Sequence, residues 1–413
     1  MSEYVVGIDA GTSSTRVCLF ECTTGKLVSH YAVPTTVIYK DDGFSEMDAD
    51  KLWNDLLKCI DVVVGNFLSQ SKDNSVDQIK CIGITDQVCS TICWNKLTGK
   101  SYCNIPRNIH EITGFAMMTL FSSTKIQWIM ENYKEFANDI EKGEAIFGTI
   151  DTWLLWNLTN GNNHMTDISN AGLTGLYDIN KLEWSQEILD FYKIPRKILP
   201  IVQESFSNYG IIQKSKLKGV PVTAIIGDFC SSLYGQNCGL RKMTFGTASS
   251  VSVNTGEKHL FKDGLISNIA FVIDGVRTCI CTTCSLYCST SIKYLIDQMK
   301  IAKDIEEFAA LADSVNSIKG VYYVSEFAGK GASLIGLKLT TNRAHICRSC
   351  LESLAYKAYR EGTVYGVCAV ASKSLKCALP KNKVLKTFYP QLTEIEREQQ
   401  LEKWKMAFDL LEN

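Results

Sequence analysis

Residues 4–16 read YVVGIDAGTSSTR, an apolar strand pattern that runs directly into a turn of small and hydroxyl-bearing residues. The segment Tyr4 to Ile8 predicts a β-strand, and Gly11 allows the backbone to turn tightly after it. Hydroxyl groups and amide N–H groups in such a turn form a concave donor surface that suits phosphate oxygens. Asp9, near the strand end, is the kind of carboxylate that holds Mg2+ through water when phosphate supplies other oxygens. The stretch therefore predicts a phosphate and magnesium site.

The same stretch also has a simpler interpretation. Val17 to Phe20 continue as a second apolar strand, so the turn is equally typical of an N-terminal β-hairpin with a polar tip. From these residues alone, both the phosphate site and the plain hairpin stay open.

Length and composition limit the class of protein. The chain has 413 residues, more than one hydrophobic core usually serves, so two domains are expected. It has 43 basic and 44 acidic residues without a basic block, which gives no reason to expect nucleic acid or an anionic membrane as a partner. No apolar run approaches the roughly 18 residues of a membrane span, and no secretory signal pattern is present. We therefore expect a soluble cytoplasmic protein.

The 17 cysteines are spread through apolar segments, which suits reduced thiols in a reducing compartment. Cys281 and Cys284, and likewise Cys347 and Cys350, have the spacing of zinc ligands. The two pairs lie too far apart for a compact zinc site. Cys347 and Cys350 also fall in a predicted helix, where this spacing places both on one face. We therefore expect no zinc.

Strand and helix patterns alternate along the chain, which favours a layered α/β fold. Asp50 to Leu68 reads as an amphipathic helix and Ile79 to Thr85 as a buried strand. Near the middle of the chain, Val222 to Ile226 forms an apolar strand that ends at Gly227 and Asp228. An acid at a strand end beside a small-residue turn thus occurs twice. If one carboxylate serves the metal, the other is placed to accept a hydroxyl proton, so Asp228 is the candidate base.

Several longer segments carry a resemblance to a known family. FGTIDTWLLWNLTNG over residues 147–161, HMTDISNAGLTGLYDI over 164–179, GVPVTAIIGD over 219–228 and LFSSTKIQWIMEN over 120–132 are the main ones. With the run from Ser333 to Glu352, these segments resemble the FGGY carbohydrate kinases, most closely the glycerol kinase branch. The resemblance covers nearly all of residues 5–361 and returns at Phe388 to Ala407.

The resemblance implies an α/β chain of two actin-like, ribonuclease H-like domains around a central cleft. The first domain, residues 1–238, would carry the polyol and phosphate side, and the second, residues 239–413, the nucleotide side. ATP and Mg2+ are the implied cofactors, a small polyol is the implied partner, and homo-oligomers are common in the family. Carried over by position, Asp9 would serve the metal through water and Asp228 would be the general base. The phosphate and nucleotide contacts would come from Thr12, Ser13, Ser14, Arg16, Gly246 and Thr247.

The chain departs from the family pattern in the acceptor pocket. Where glycerol kinases present an arginine and a glutamate to the polyol, this chain has Val88 and Cys89. The pocket aromatic is replaced by Leu120, and the glutamine after the base is Phe229. Each hydroxyl that is buried without a partner costs on the order of 1–3 kcal/mol, so these replacements remove the usual means of holding glycerol.

The nucleotide side departs as well. Ser289 and Lys293 stand where the family has a glycine and a glutamine, and the family's Gly-Gly turn is missing. The segment Cys368 to Lys386 joins the second signature directly to the tail, so the second domain is expected to be incomplete. Two functions follow as alternatives. The chain is either an ATP-dependent kinase of glycerol or a related small polyol, or an inactive glycerol kinase-like protein with a binding or regulatory role.

Overall fold

The structure is a computed structural model that describes residues 2–39, 45–108, 121–235, 241–245, 249–259, 266–285, 288–324 and 332–355, with residues 399, 402–404 and 406. Leu120, Gly246, Thr247 and the segment Cys368 to Lys386 lie outside the described residues.

Contacts divide the chain into two compact units. The first contains Met1–Gln236, Glu257–His259 and Asn268–Cys279, and the second contains Asn237–Gly256, Leu260–Ser267 and Ile280–Asn413. Because the first unit also contains two segments from later in the sequence, no single boundary separates the two units. The predicted domain boundary after residue 238 stays a prediction.

The strands of the described residues are, in chain order, β1 (Tyr4–Ala10), β2 (Ser14–Glu21), β3 (Leu27–Pro34), β4 (Ile38–Tyr39), β5 (Ser45–Met47), β6 (Ile79–Asp86), β7 (Ile92–Asn95), β8 (Ile105–Asn108), β9 (Ala145–Gly148), β10 (Met165–Asp167), β11 (Tyr177–Asp178), β12 (Glu183–Trp184), β13 (Ile201–Gln203), β14 (Val222–Gly227), β15 (Arg241–Phe245), β16 (Ser249–Gly256), β17 (Ile266–Ile273), β18 (Val276–Ser285), β19 (Tyr322–Val324) and β20 (Ser333–Ile335). The helices are α1 (Ala49–Gln70), α2 (Ser122–Asn132), α3 (Lys134–Lys142), α4 (Ile150–Leu158), α5 (Ile168–Gly172), α6 (Gln186–Tyr192), α7 (Asp228–Gly235), α8 (Ser289–Asp297), α9 (Ile305–Asp313) and a further helix over 343–355.

A five-stranded sheet forms the centre of the first unit, in the order β14-β6-β1-β2-β3. β1 pairs antiparallel with β2, and β2 pairs antiparallel with β3, so the first three strands form a meander. β6 runs parallel to β1 on one side and parallel to β14 on the other. Consequently β1, β6 and β14 all end at the same edge of the sheet. The strands predicted at Tyr4 to Ile8, Ile79 to Thr85 and Val222 to Ile226 are confirmed.

Helix α1 covers one face of this sheet. It begins after Asp48, whose side chain accepts a hydrogen bond from the backbone N–H of Lys51 at 2.9 Å, an N-cap that satisfies one of the free amide donors. Its buried residues follow a helical spacing, including Leu52, Leu56, Ile60 and Val63. These side chains pack with the apolar residues of β1, β2 and β6 in one hydrophobic cluster. The helix predicted over Asp50 to Leu68 is confirmed.

A second cluster of the first unit lies around α2, α3, α6 and β9. It includes Ile126, Phe136, Phe147 and Leu189, all fully buried. Helix α4 belongs to the first cluster and is buried on nearly all of its sides, so its carboxylate Asp151 is fully enclosed. This burial raises the pKa of Asp151.

In the second unit, β15 pairs antiparallel with β16, and β19 pairs antiparallel with β20. Helices α8 and α9 pack with the helix over 343–355 around Phe308 and Leu295. Cys347 and Cys350 lie in this apolar cluster and are fully buried, on the helix that the sequence predicts there. Within the described part of the chain, no helix has both the length and the apolar character needed to cross a membrane.

Candidate active site

Three acidic residues lie at the edge where β1, β6 and β14 end, which we call the acidic edge. Asp9 pairs with Thr85, the next position of β1 pairs with Asp86, and Asp86 in turn pairs with Gly227 at the end of β14. Asp228 follows Gly227 directly and begins α7. Because neighbouring strands lie about 4.8 Å apart, the backbones of β1 and β14 are separated by about 10 Å at this edge. The edge therefore brings together the two acids that the sequence predicts, with Asp86 between them.

Asp9 is paired with an arginine across the β1–β2 hairpin. Asp9 and Arg16 are directly opposite in the antiparallel register, and Arg16 Nε lies 3.0 Å from Asp9 Oδ2. Burial raises the pKa of Asp9, while the charge of Arg16 acts in the opposite direction. Gly11 leaves space for the second carboxylate oxygen, since a Cβ at this position would lie 3.3 Å from Asp9 Oδ1. The β1–β2 hairpin is therefore present, and the turn rich in hydroxyl and amide donors lies at its tip.

The β1–β2 turn is tied to its surroundings through side chains that the sequence analysis did not identify. Thr12 Oγ1 donates to Gln87 Oε1 at 2.8 Å, and Gln87 N donates to the Ala10 carbonyl at 3.0 Å. Thr35 Oγ1 donates to the Gly11 carbonyl at 3.1 Å. These contacts connect residues far apart in sequence and hold the turn in one conformation. Ser13 is exposed at its tip, and Ser14 Oγ lies 3.4 Å from Arg16 Nη2 as an acceptor.

Asp228 is held at the start of α7. Its Oδ1 accepts a hydrogen bond from the backbone N–H of Phe229 at 2.7 Å, and both residues are partly buried. The preceding glycine has no room for a side chain, because a Cβ at Gly227 would lie 2.4 Å from Val88 Cγ1. Val88 therefore packs directly against the peptide that leads into Asp228.

The segment after Val88 is fixed by a buried lysine. Cys89 has a backbone φ of 60°, in the left-handed region that non-glycine residues seldom adopt. Its carbonyl accepts a hydrogen bond from Lys125 Nζ at 2.7 Å, and Lys125 itself is only 2% exposed. Ser122 Oγ donates to the next carbonyl, that of Ser90, at 2.9 Å. Lys125 and Ser122 on α2 therefore hold the backbone of the segment that carries the predicted pocket residues Val88 and Cys89.

Asp86 of the acidic edge also belongs to a set of three fully buried carboxylates, which we call the buried acid network: Asp86, Asp151 and Asp167. Asn170 Nδ2 joins two of them, since it donates to Asp86 Oδ1 at 2.9 Å and to Asp167 Oδ1 at 3.1 Å. Asp86 Oδ2 accepts from the backbone N–H of Asp151 at 3.2 Å. Asp151 accepts from the hydroxyls of Thr149 and Thr166.

Burial changes the acidity of this network. Burial, followed by the charge of Asp151, raises the pKa of Asp86 well above its usual range. Burial and the charge of Asp167 raise the pKa of Asp151 to about 7. Burial therefore favours the uncharged form of these carboxylates more than it would for exposed acids.

The predicted metal contact fits Asp9. Mg2+ prefers one or two carboxylates together with phosphate oxygens and water, and Asp9 offers one carboxylate beside a turn rich in donors. Over the residues that the structure describes, no group of three or more His, Cys, Asp and Glu side chains is arranged to hold a metal ion. The metal contact of Asp9 stays a prediction.

Comparison with known proteins identifies the family. The sequence profile of the FGGY family of carbohydrate kinases, N-terminal domain, matches residues 4–105 and 100–235. The chain belongs to the FGGY family of carbohydrate kinases. The glycerol kinase of Alkaliphilus oremlandii (strain OhILAs) is 35% identical over 392 residues, which cover 86% of this chain and 77% of that protein.

Solved structures of FGGY kinases have the same fold. The crystal structure of Plasmodium falciparum glycerol kinase with ADP is 27% identical, with a TM-score of 0.72 and coverage of 92% of this chain and 80% of that chain. The gluconate kinase of Lactobacillus acidophilus is 17% identical with a TM-score of 0.69, covering 88% of this chain and 78% of that chain, a likeness in fold alone. The predicted family and its actin-like α/β fold are confirmed.

Proposed function

We propose that this FGGY kinase transfers the terminal phosphoryl group of ATP to glycerol or a related small polyol, giving sn-glycerol 3-phosphate from glycerol. The observation that carries the proposal is the acidic edge, where Asp9 and Asp228 end two parallel strands that flank one central strand. A phosphoryl transfer needs a phosphate and metal anchor on one side and a proton acceptor on the other, in line with the transferred group. The similarity to glycerol kinases supports this assignment.

On the phosphate side, Asp9 would hold Mg2+ through water, and the β1–β2 turn would bind phosphate oxygens. When bound, the ion neutralises charge on the phosphates. Thr12, Ser13 and Ser14 would donate through hydroxyl and amide groups, and Arg16 would supply positive charge. In the structure Arg16 pairs with Asp9 at 3.0 Å, so a phosphate would compete with this carboxylate for the guanidinium. Gly246 and Thr247 stay predictions for the nucleotide contact.

On the acceptor side, Asp228 would accept the proton of the attacking hydroxyl. A carboxylate is a weak base for an alcohol, so the proton would move as the phosphorus–oxygen bond forms rather than before it. The hydrogen bond from the Phe229 N–H to Oδ1 holds the Asp228 carboxylate at the start of α7. Burial raises the pKa of Asp86 beside it, which would favour an uncharged neighbour for the base.

The acceptor pocket would be less polar than that of a typical glycerol kinase. Val88, Cys89 and Phe229 are its described members, and Leu120 stays a prediction outside the described residues. Each glycerol hydroxyl left without a partner would cost on the order of 1–3 kcal/mol, equivalent to a rise in KM of roughly fivefold to a hundredfold. We therefore propose weak glycerol affinity, with turnover that depends on the shape of the acceptor.

The test is release of ADP by the purified full chain with MgATP and either glycerol, dihydroxyacetone or a longer polyol. An Asp228→Asn variant is measured beside it, and Asp73→Asn serves as a matched control because Asp73 is an exposed loop residue with the same change in charge. We expect acceptor-dependent ADP release that falls by roughly 10²- to 10⁴-fold in Asp228→Asn and stays unchanged in Asp73→Asn.

Absence of acceptor-dependent ADP release from a folded chain would contradict the proposal and favour the inactive alternative. That alternative finds no support among the relatives compared. Equal release by the wild type and Asp228→Asn would contradict the role of Asp228 alone.

A further inference from the structure

The backbone N–H that precedes Asp228 is held by a side chain. Gly227 N donates to Ser169 Oγ at 2.9 Å, and Ser169 is fully buried at the start of α5. The contact joins residues 58 positions apart in the sequence. It therefore fixes the last peptide of β14 to an element outside the sheet.

Asp167 orients the Ser169 hydroxyl. Ser169 Oγ lies 2.9 Å from Asp167 Oδ1 and 2.8 Å from Oδ2, so its one proton points to this carboxylate. The oxygen then keeps its lone pairs for the Gly227 N–H. Asp167 also accepts the backbone amides of Ser169 and Asn170 at 3.0 Å each and thereby caps α5. The buried carboxylate of Asp167 therefore fixes both the Ser169 hydroxyl and the first turn of α5.

Val88 also lies close to Gly227. A Cβ at Gly227 would lie 2.4 Å from Val88 Cγ1 and 3.5 Å from Ser169 Oγ. The peptide that leads into Asp228 is therefore confined by an apolar contact with Val88 and by a hydrogen bond to Ser169. Loss of the hydrogen bond would let this peptide rotate, and Asp228 would rotate with it.

We propose that Ser169, oriented by Asp167, is a positioning residue that sets the direction of the Asp228 carboxylate in the phosphoryl transfer. The inference rests on the proposed function, because it assumes that Asp228 is the base. Ser169 itself contacts no reacting atom in this assignment. Its effect would be transmitted through the Gly227 N–H.

The chain offers a closely matched control in Ser205. Ser205 Oγ donates to the same oxygen, Asp167 Oδ2, at 2.8 Å, and it accepts from a backbone N–H, that of Val272, at 3.3 Å. Ser205 is 3% exposed, so it is buried almost as fully as Ser169. Removal of either hydroxyl costs Asp167 one donor and leaves one buried amide without its acceptor. Of these two hydroxyls, only that of Ser169 contacts the Gly227 N–H.

The experiment compares Ser169→Ala with Ser205→Ala in the full chain, using kcat, KM for the polyol, the melting temperature, and amide hydrogen exchange at Gly227 and Val272. We expect similar losses in melting temperature. Ser169→Ala should lower kcat by about 10- to 100-fold with less than a threefold change in KM, since a misplacement near 1 Å has effects of this size. Exchange should accelerate at Gly227 in Ser169→Ala and at Val272 in Ser205→Ala. If the alanine variants fail to fold, Ser169→Cys and Ser205→Cys, which keep the side-chain shape with weaker hydrogen bonds, replace them.

An equal fall in kcat for both variants would overturn the proposal, because it would reveal only a structural role of Asp167 and its donors. Wild-type kcat in Ser169→Ala would overturn it as well. If the wild type itself shows no acceptor-dependent ADP release, the proposed function has failed, and hydrogen exchange decides the positioning role alone. In that case faster exchange at Gly227 in Ser169→Ala only would support it, and unchanged exchange would refute it.

Discussion

Replacement of Gly227 by alanine tests whether the peptide before Asp228 is confined as the structure indicates. Gly227 is not among the residues with positive φ, so a side chain is excluded by space rather than by backbone conformation. The new Cβ would lie 2.4 Å from Val88 Cγ1, whereas ordinary contacts begin at 3.4 Å, so one group must move by about 1 Å. Neither group moves easily. Val88 is β-branched and stiff, and Gly227 is held by Ser169 at 2.9 Å.

The expected cost follows from overpacking in a close-packed site. Insertion of a methyl group that forces a shift of this size destabilises a protein by about 1–3 kcal/mol. A displacement of about 1 Å at a catalytic group lowers kcat/KM by roughly 10²-fold. Val88→Ala removes the clashing atom, so the double variant Gly227→Ala, Val88→Ala should recover most of both losses. The expected interaction free energy between the two substitutions is about 1–2 kcal/mol in the stabilising direction.

The assays are urea unfolding, with a check that the m-value is unchanged, and ADP release with MgATP and the best acceptor. Gly83→Ala on β6 is the control, because a Cβ there has no neighbour within 4 Å and the substitution is chemically the same. The reasoning is refuted if the unfolding free energy of the double variant equals the sum of the single changes within about 0.5 kcal/mol. It is also refuted if Gly227→Ala behaves like Gly83→Ala.

Substitutions at three further positions test the groups around the site and the pH dependence of stability. Arg16→Ala should change the unfolding free energy by less than about 1 kcal/mol, because the Arg16 side chain is 53% exposed and water screens its ion pair with Asp9. Titration of MgATP should nevertheless give a KM at least about tenfold higher, and an unchanged KM would remove Arg16 from the phosphate site. Thr12→Val breaks the hydrogen bond to Gln87 and should raise KM for MgATP, whereas Thr12→Ser keeps the hydroxyl and should behave as the wild type; equal values for both would contradict the role of this bond. Burial lowers the pKa of His164 to about 4, so the unfolded state, with a pKa near 6.5, takes up the proton first as the pH falls. The wild type should therefore lose roughly 3 kcal/mol of stability relative to His164→Gln between about pH 6.5 and 4, and parallel stability curves for the two proteins would contradict this.

The elements that carry local signals could be predicted from the sequence. The helix at Ala49–Gln70 has an N-cap and a regular apolar spacing, and the strands at Tyr4–Ala10 and Val222–Gly227 are short apolar runs that end in small residues. Such signals lie within a few residues of each other and need no tertiary information. Asp9 and Asp228 could be predicted as candidate site residues for the same reason, since each follows or ends such a strand.

The arrangement between these elements could not be predicted in the same way. The position of Asp86 between β1 and β14 depends on parallel pairings across long stretches of sequence. The hydrogen bonds from Asn170 to Asp86 and from Gly227 to Ser169 join residues 84 and 58 positions apart. The hydrophobic periodicity of a sequence does not indicate which distant side chains will form a contact. The hydrogen bonds that join the buried acid network could therefore not be predicted from the sequence, although its residues lie in segments that resemble the family.

The proposed acceptor pocket and the proposed base are connected through Val88. Val88 stands where the resemblance expects a polar contact to the polyol, and its Cγ1 is the atom nearest to a side chain at Gly227. Its neighbour Cys89 adopts a costly left-handed conformation that Lys125 stabilises through the Cys89 carbonyl. A change at position 88 that reshapes the pocket must therefore also alter the contact that confines the peptide before Asp228. Acceptor preference and turnover in this chain are for that reason expected to change together, so substitutions in the pocket should affect kcat as well as KM.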